Sequence, residues 1–174
     1  MSLLERHLVW RIDEDVAETD NHLFTRIVCL RALEAGAHLA ERLDDFGAAD
    51  FYVEQAARLN NTLEQFWATK PDGTGYYRAI LTGFTGDELA DTPTGLDCAF
   101  LLSVIHAFDR DYETSFRIDD PGVVSTLREY IRSFDGLYCI NEGQKWTDGW
   151  AVGRYAEDVY DGVGDSVGNP CYVL

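Results

Sequence analysis

Between Leu23 and Leu43 an apolar side chain returns every third or fourth residue, at Phe24, Val28, Ala32, Ala35, Leu39 and Leu43. Arg31, Glu34, His38, Glu41 and Arg42 fill the remaining positions. That period lays one apolar stripe along an α-helix and leaves the other face to water. Asp44-Asp45-Phe46-Gly47 interrupts it, and Tyr52, Ala56, Leu59, Leu63, Phe66 and Trp67 then repeat the same spacing. So short a break makes the two helices antiparallel neighbours, a helical hairpin. Two striped helices can hide only part of their apolar surface against each other. With helices alternating with long polar loops and strand-like segments few and short, the class is all-α, built from stacked helical hairpins.

The rest of the chain supplies the other helices. Thr19 or Asp20 is expected to cap the first helix, and Lys70-Pro71-Asp72-Gly73-Thr74-Gly75 ends the second. Tyr76 to Thr82 alternates poorly and reads as extended or loop. Asp91-Thr92-Pro93-Thr94-Gly95 is a turn, and a short helix follows from about Leu96 to Phe108, with Leu101, Ile105 and Phe108 on one face. Asp120-Pro121 is a cap with proline at the first helical position. Leu127, Tyr130, Ile131 and Phe134 mark the helix it opens, and Asp135-Gly136 closes it. Residues 136–174 are loop-rich, and no internal repeat is visible.

Hydrophobic residues are 46% of the chain and aromatics 13%, enough for a sizeable core in 174 residues. The formal net charge of −17 argues against nucleic acid and anionic membrane as partners and is compatible with a neutral polymer. Cys29, Cys98, Cys139 and Cys171 are scattered, with no CxxC pair. They suggest neither zinc nor redox chemistry and leave both buried thiols and disulfides open. The stretch Met1 to Arg11 has no long apolar segment, so no signal peptide is expected, and no run approaches membrane-spanning length. His106, inside an apolar helix, is expected to be a core histidine, and Trp67 to pack in the core. Trp146 and Trp150 are loop aromatics able to stack on a sugar.

The densest chemistry lies near the C-terminal end, in Gly153-Arg154-Tyr155-Ala156-Glu157-Asp158-Val159-Tyr160. Arginine offers a planar fork of donors, and Glu157 and Asp158 offer acceptors. Tyr155 and Tyr160 add flat apolar faces with polar tips. This set can hold a polyhydroxylated ring, with hydroxyl edges on charges and C–H faces on aromatics. It can equally form an exposed ion-pair network closing a helix, which is an ordinary surface feature.

The segment resembles the Gly-Arg-Tyr-Pro-Glu-Asp-Thr-Tyr motif of glucoamylases, the family 15 glycoside hydrolases, with Ala156 in place of proline. Asn169-Pro170-Cys171-Tyr172-Val173-Leu174 is similar to the run that follows in the family, with Cys171 where tryptophan is usual. Phe24-Thr25 with Arg31-Ala32-Leu33-Glu34-Ala35-Gly36-Ala37, Gly95-Leu96-Asp97-Cys98, Ile105-His106-Ala107-Phe108-Asp109 and Tyr138-Cys139-Ile140-Asn141 extend the likeness over most of the chain.

The resemblance implies an (α/α)6 barrel, two concentric rings of six helices with a sugar pocket at one end. Twelve helices of about 11–12 residues with long loops need roughly twice this length or more. The expectation is thus that residues 1–174 are the central portion of a catalytic domain. It also implies release of glucose from starch-type chains with inversion. That reaction uses one carboxyl as acid and another as base across a gap of about 6.5–9.5 Å. In Ile12-Asp13-Glu14-Asp15-Val16, Glu14 aligns with the acid and Asp15 with a sugar-binding carboxylate. A second register places Trp10 on the family tryptophan and Arg11 on the acid. Arg154, Glu157, Asp158 and Tyr160 are then substrate-binding. The general base has no counterpart here. No metal or cofactor is implied, the partner is starch or a maltooligosaccharide, and the family's location is secreted. Helix faces lacking neighbours are expected to self-associate.

Overall fold

A computed structural model of the chain describes residues 22–81, 94–112, 114–158 and 172–173. Helix α1 spans Leu23–Arg42, α2 Phe46–Asn60, α3 Ala99–Ala107 and α4 Pro121–Arg132. Two antiparallel ribbons join them. Strand β1 (Trp67–Thr69) pairs with β2 (Gly75–Tyr77), Trp67 opposite Tyr77. Strand β3 (Ala151–Val152) pairs with β4 (Tyr172–Val173), Ala151 opposite Val173. The class is all-α, and the helices form part of an (α/α)6 barrel.

The hairpin of α1 and α2 is as the spacing predicts, and Asp45 caps α2 by accepting from the Ala48 N–H at 3.0 Å. The buried stripe of α1 differs from the expected one. Leu23, Ile27, Leu30, Leu33, Ala37 and Ala40 are buried, whereas Leu39 and Leu43 are 56% and 70% exposed. Both sets step by three and four, so α1 carries two apolar stripes, and the one it buries packs against α2 and α3. Thr19 and Asp20 lie outside the described residues. The observed cap of α1 is His22, whose side chain makes no capping bond.

The second helix stops earlier than expected. Asn61 and Thr62 turn the chain, Leu63–Phe66 forms a single 3₁₀ turn, and Trp67 enters β1. Trp67 is accordingly not a core residue: it is 38% exposed and sits edge-on to Tyr77, ring centroids 4.9 Å apart. In α3 the buried face is Phe100, Ser103, Val104 and Ala107, while Ile105 and Phe108 are exposed. His106 is also exposed, and meets Phe24 ring edge to face instead of lying in the core. The cap of α4 is as read: Asp120 accepts from the N–H groups of Gly122 and Val123, with Pro121 at the first position.

The buried residues form two clusters. The larger joins α1, α2, α3, Phe66, Phe116 and Val123. The smaller gathers Leu96, Tyr130, Phe134 and Val152, with Trp150 and Ala156 packed against it. Ala156 brings the charged segment near the C-terminal end against this second cluster. Cys29, Cys98 and Cys139 are free thiols. Among the described residues no helix is long and apolar enough to cross a membrane.

Candidate functional site

Four consecutive residues, Ala151 to Arg154, are pinned from three directions. Asn141, 6% exposed, grips Ala151 like a neighbouring strand: its amide donates to the Ala151 carbonyl and its oxygen accepts the Ala151 N–H, both at 2.9 Å. Val152 is 2% exposed and belongs to the second core cluster. The buried Tyr130 hydroxyl, from α4, donates to the Gly153 carbonyl. The Cys98 N–H, at the start of α3, donates to the Arg154 carbonyl at 2.7 Å. A backbone bonded at Ala151, Gly153 and Arg154, with Val152 buried between them, has little freedom, so Arg154 leaves the surface in a fixed direction.

Its side chain is held once more. Asp97 lies one residue before the cap of α3, and its two carboxylate oxygens have separate partners. Oδ1 accepts the Ala99 N–H at 2.7 Å, fixing the helix start. Oδ2 accepts Arg154 Nε–H at 3.2 Å. The Asp97 side chain is 8% exposed and that of Arg154 62%. A guanidinium has five N–H donors. One is spent on Asp97, and among the described residues the four on Nη1 and Nη2 take no hydrogen bond. The Tyr155 ring lies 5.3 Å from the guanidinium carbon. Partial burial pulls the Arg154 pKa down, but the Asp97 charge and hydrogen bond more than offset it, and the net shift is upward. Burial, then the Asp97 charge and hydrogen bond, push the neighbouring Cys98 thiol up to about 11.

The sequence pattern suggests that Arg154 pairs with Glu157 or Asp158 at a helix end. Instead residues 154–158 form an irregular turn closed by the Asp158 N–H on the Tyr155 carbonyl at 3.1 Å. The carboxylate facing Arg154 comes from 57 residues earlier. Glu157 and Asp158 are partly buried on the same turn. One oxygen of Glu157, Oε2, is buried without a hydrogen-bond partner among the described residues, an acceptor with its desolvation already incurred. Glu14, Asp15 and Tyr160 lie outside the described residues, as do the rival Arg11 and the side chain of Trp146. Trp150 packs on the second core cluster.

Asp97 is the residue that sequence reasoning passes over. An aspartate before an apolar helix reads as a cap, and nothing local shows that its other oxygen is committed elsewhere. A cleft of about 620 Å³ between α4 and the 144–150 loop is lined by Arg128, Arg132, Lys145 and Trp150 but not by Arg154, Glu157 or Asp158.

The family description "Glycosyl hydrolases family 15" matches residues 12–174. The chain is 33% identical over 161 residues to a glucoamylase of Blastobotrys adeninivorans, covering 90% of this chain and 24% of that protein. It is 32% identical over 157 residues to the intracellular sporulation-specific glucoamylase of Saccharomyces cerevisiae, covering 86% and 27%. It is also similar to the solved glucoamylase of Saccharomycopsis fibuligera, with a TM-score of 0.66 and 25% identity over 86% of this chain and 30% of that one. The chain thus spans about a quarter of the length of the curated relatives it matches. With the family pattern matched from residue 12 onward, this chain belongs to the family 15 glycosyl hydrolases.

Proposed function

We propose that residues 1–174 are the central portion of a glucoamylase-type catalytic domain that releases terminal α-1,4-linked glucose from starch-type chains with inversion. Glu14 protonates the leaving oxygen, and Asp15 binds the same sugar. Arg154 donates to sugar hydroxyls, with Glu157 and Asp158 accepting from them and Tyr160 lining the pocket. The base that activates water comes from residues outside this chain, and no metal or cofactor takes part. The names of the relatives support the substrate class. The observation that carries the reading is the state of Arg154: 62% exposed, yet anchored through Nε to a buried carboxylate, so that four donors face outward from a fixed base.

A second reading is an inactive truncated remnant with at most weak carbohydrate binding. Calorimetry of the 174-residue chain with maltose, alongside a glucose-release assay on maltooligosaccharides, separates the two. Binding that Arg154→Ala weakens at least tenfold supports the sugar-binding role under either reading. Absence of binding at millimolar maltose overturns it. Glucose release lost in Glu14→Gln supports that acid, and unchanged release in Glu14→Gln removes it. Self-association through exposed apolar side chains such as Leu43, Phe46 and Ile105 belongs to the same proposal. Light scattering that finds a monomer across micromolar concentrations would exclude it. By the family resemblance the protein is secreted, and fractionation that finds it inside the cell instead of in the medium would overturn that.

A further inference from the structure

We propose that Asp97 is a positioning residue that holds the Arg154 guanidinium in the orientation in which its two Nη groups meet neighbouring hydroxyls of one sugar. The proposal rests on Arg154 being a sugar-binding residue.

The argument starts from what a helix start requires. One carboxylate oxygen is enough for it, and the second is ordinarily left to water. Here the whole side chain is 8% exposed, so the second oxygen has lost most of its water and needs a partner. The partner it has is Arg154 Nε–H, at 3.2 Å. Use of Nε leaves Nη1 and Nη2 together at the far edge of the guanidinium plane. Two adjacent donors in one plane match two vicinal hydroxyl oxygens on a pyranose. A carboxylate gripping the Nη pair would have occupied the edge that the sugar needs.

The direction of the fork is set at both ends. The Cys98 N–H holds the Arg154 carbonyl at 2.7 Å, next to Asp97 in sequence, so the Asp97-Cys98 pair grips both the backbone and the side chain of Arg154. The Tyr155 ring, 5.3 Å from the guanidinium carbon, flanks it. An unanchored arginine has rotamer entropy to lose on binding. Anchoring at Nε removes part of that loss before the sugar arrives.

The test combines NMR with calorimetry. The Arg154 Nε–H resonance is identified in the wild-type chain by its loss in Arg154→Lys. In Asp97→Asn the signal is expected to shift and exchange faster with water, and maltose affinity to fall about tenfold, with helical circular dichroism retained. Asp97→Glu, which keeps the charge on a longer arm, is expected to recover part of the Nε–H signature. Should Asp97→Asn not fold, Asp97→Glu alone carries the test, with a smaller shift and a smaller loss of affinity expected. An Nε–H signal unchanged in Asp97→Asn overturns the proposal, and so does unchanged affinity beside a shifted signal. If the wild-type chain binds no maltose, the sugar-binding reading of Arg154 fails. The Nε–H shift then still reports whether Asp97 holds the side chain.

Discussion

Replacing Asn141 by leucine removes two hydrogen bonds at once, and the structure says what that should cost. The residue is 6% exposed, and its partner Ala151 is 2% exposed. Leucine keeps roughly the shape but leaves the Ala151 N–H and carbonyl facing an apolar group. A buried backbone group left unpaired costs about 1–3 kcal/mol, a figure that already contains the lost bond, so two such groups cost about 2–6 kcal/mol. Partial access of water after relaxation puts the sum near the lower end, about 3 kcal/mol. For a chain of 150–250 residues each kcal/mol lowers Tm by about 2–4 °C, so the expected drop is roughly 6–12 °C. Asn141→Asp keeps an acceptor for the Ala151 N–H but loses the donor and buries a charge, so it should be no milder. Urea and thermal unfolding followed by circular dichroism give both numbers. A loss below about 1 kcal/mol in Asn141→Leu would falsify the view that this side chain stands in for a strand.

Gly75→Ala should destabilise the β1–β2 ribbon by about 1–3 kcal/mol. The new Cβ would lie 2.5 Å from the Trp67 ring and 2.7 Å from the Ala68 carbonyl oxygen, and the backbone oxygen cannot swing away. A melting temperature equal to wild type would show that the ribbon is looser than described. Stability should also fall at alkaline pH. Cys98 and Tyr77 have pKa values raised chiefly by burial, so the unfolded chain loses these protons first. The stabilisation is fully present below the ordinary thiol value of 9.0 and is lost as pH climbs through about 11 for Cys98. A urea midpoint that does not fall between pH 8.5 and 11 would contradict this. Asp97→Asn should lower the Cys98 pKa and Arg154→Ala should raise it, read from ¹³C NMR of the Cys98 β-carbon. Equal pKa values in the two variants would break the link between the three groups.

Periodicity makes the helices legible and leaves their orientation open. Helix α1 carries two stripes of similar spacing, and whether Leu39 or the adjacent Ala40 turns inward depends on where α2 and α3 lie. No window of one helix contains that information. The Asp120-Pro121 start of α4 is readable because a cap is a local structure whose partners are two and three residues away. His106 departs from its expected place because an apolar neighbourhood in sequence does not say which side of a nine-residue helix is buried. Of the candidate site, the family motif points to Arg154, but the carboxylate that meets it is not readable. Spacing offers Glu157 and Asp158, while the bond goes to Asp97, 57 residues away.

That distance bears on how the site is built. The residues that fix Arg154 are Asp97 before α3, Tyr130 on α4 and Asn141 in the loop beyond it, each using a different atom of residues 151–154. None of the three is a neighbour of the motif in sequence. The Gly-Arg-Tyr segment acquires its direction only when α3, α4 and the single 3₁₀ turn Cys139–Asn141 that carries Asn141 have packed with the second core cluster. A peptide carrying the motif alone would retain the donors and the aromatic ring but not the anchor. The exposed fork therefore depends on buried contacts: changes at Asp97, Tyr130 or Asn141 should weaken sugar binding without touching the sugar, each in proportion to the freedom it returns to Arg154.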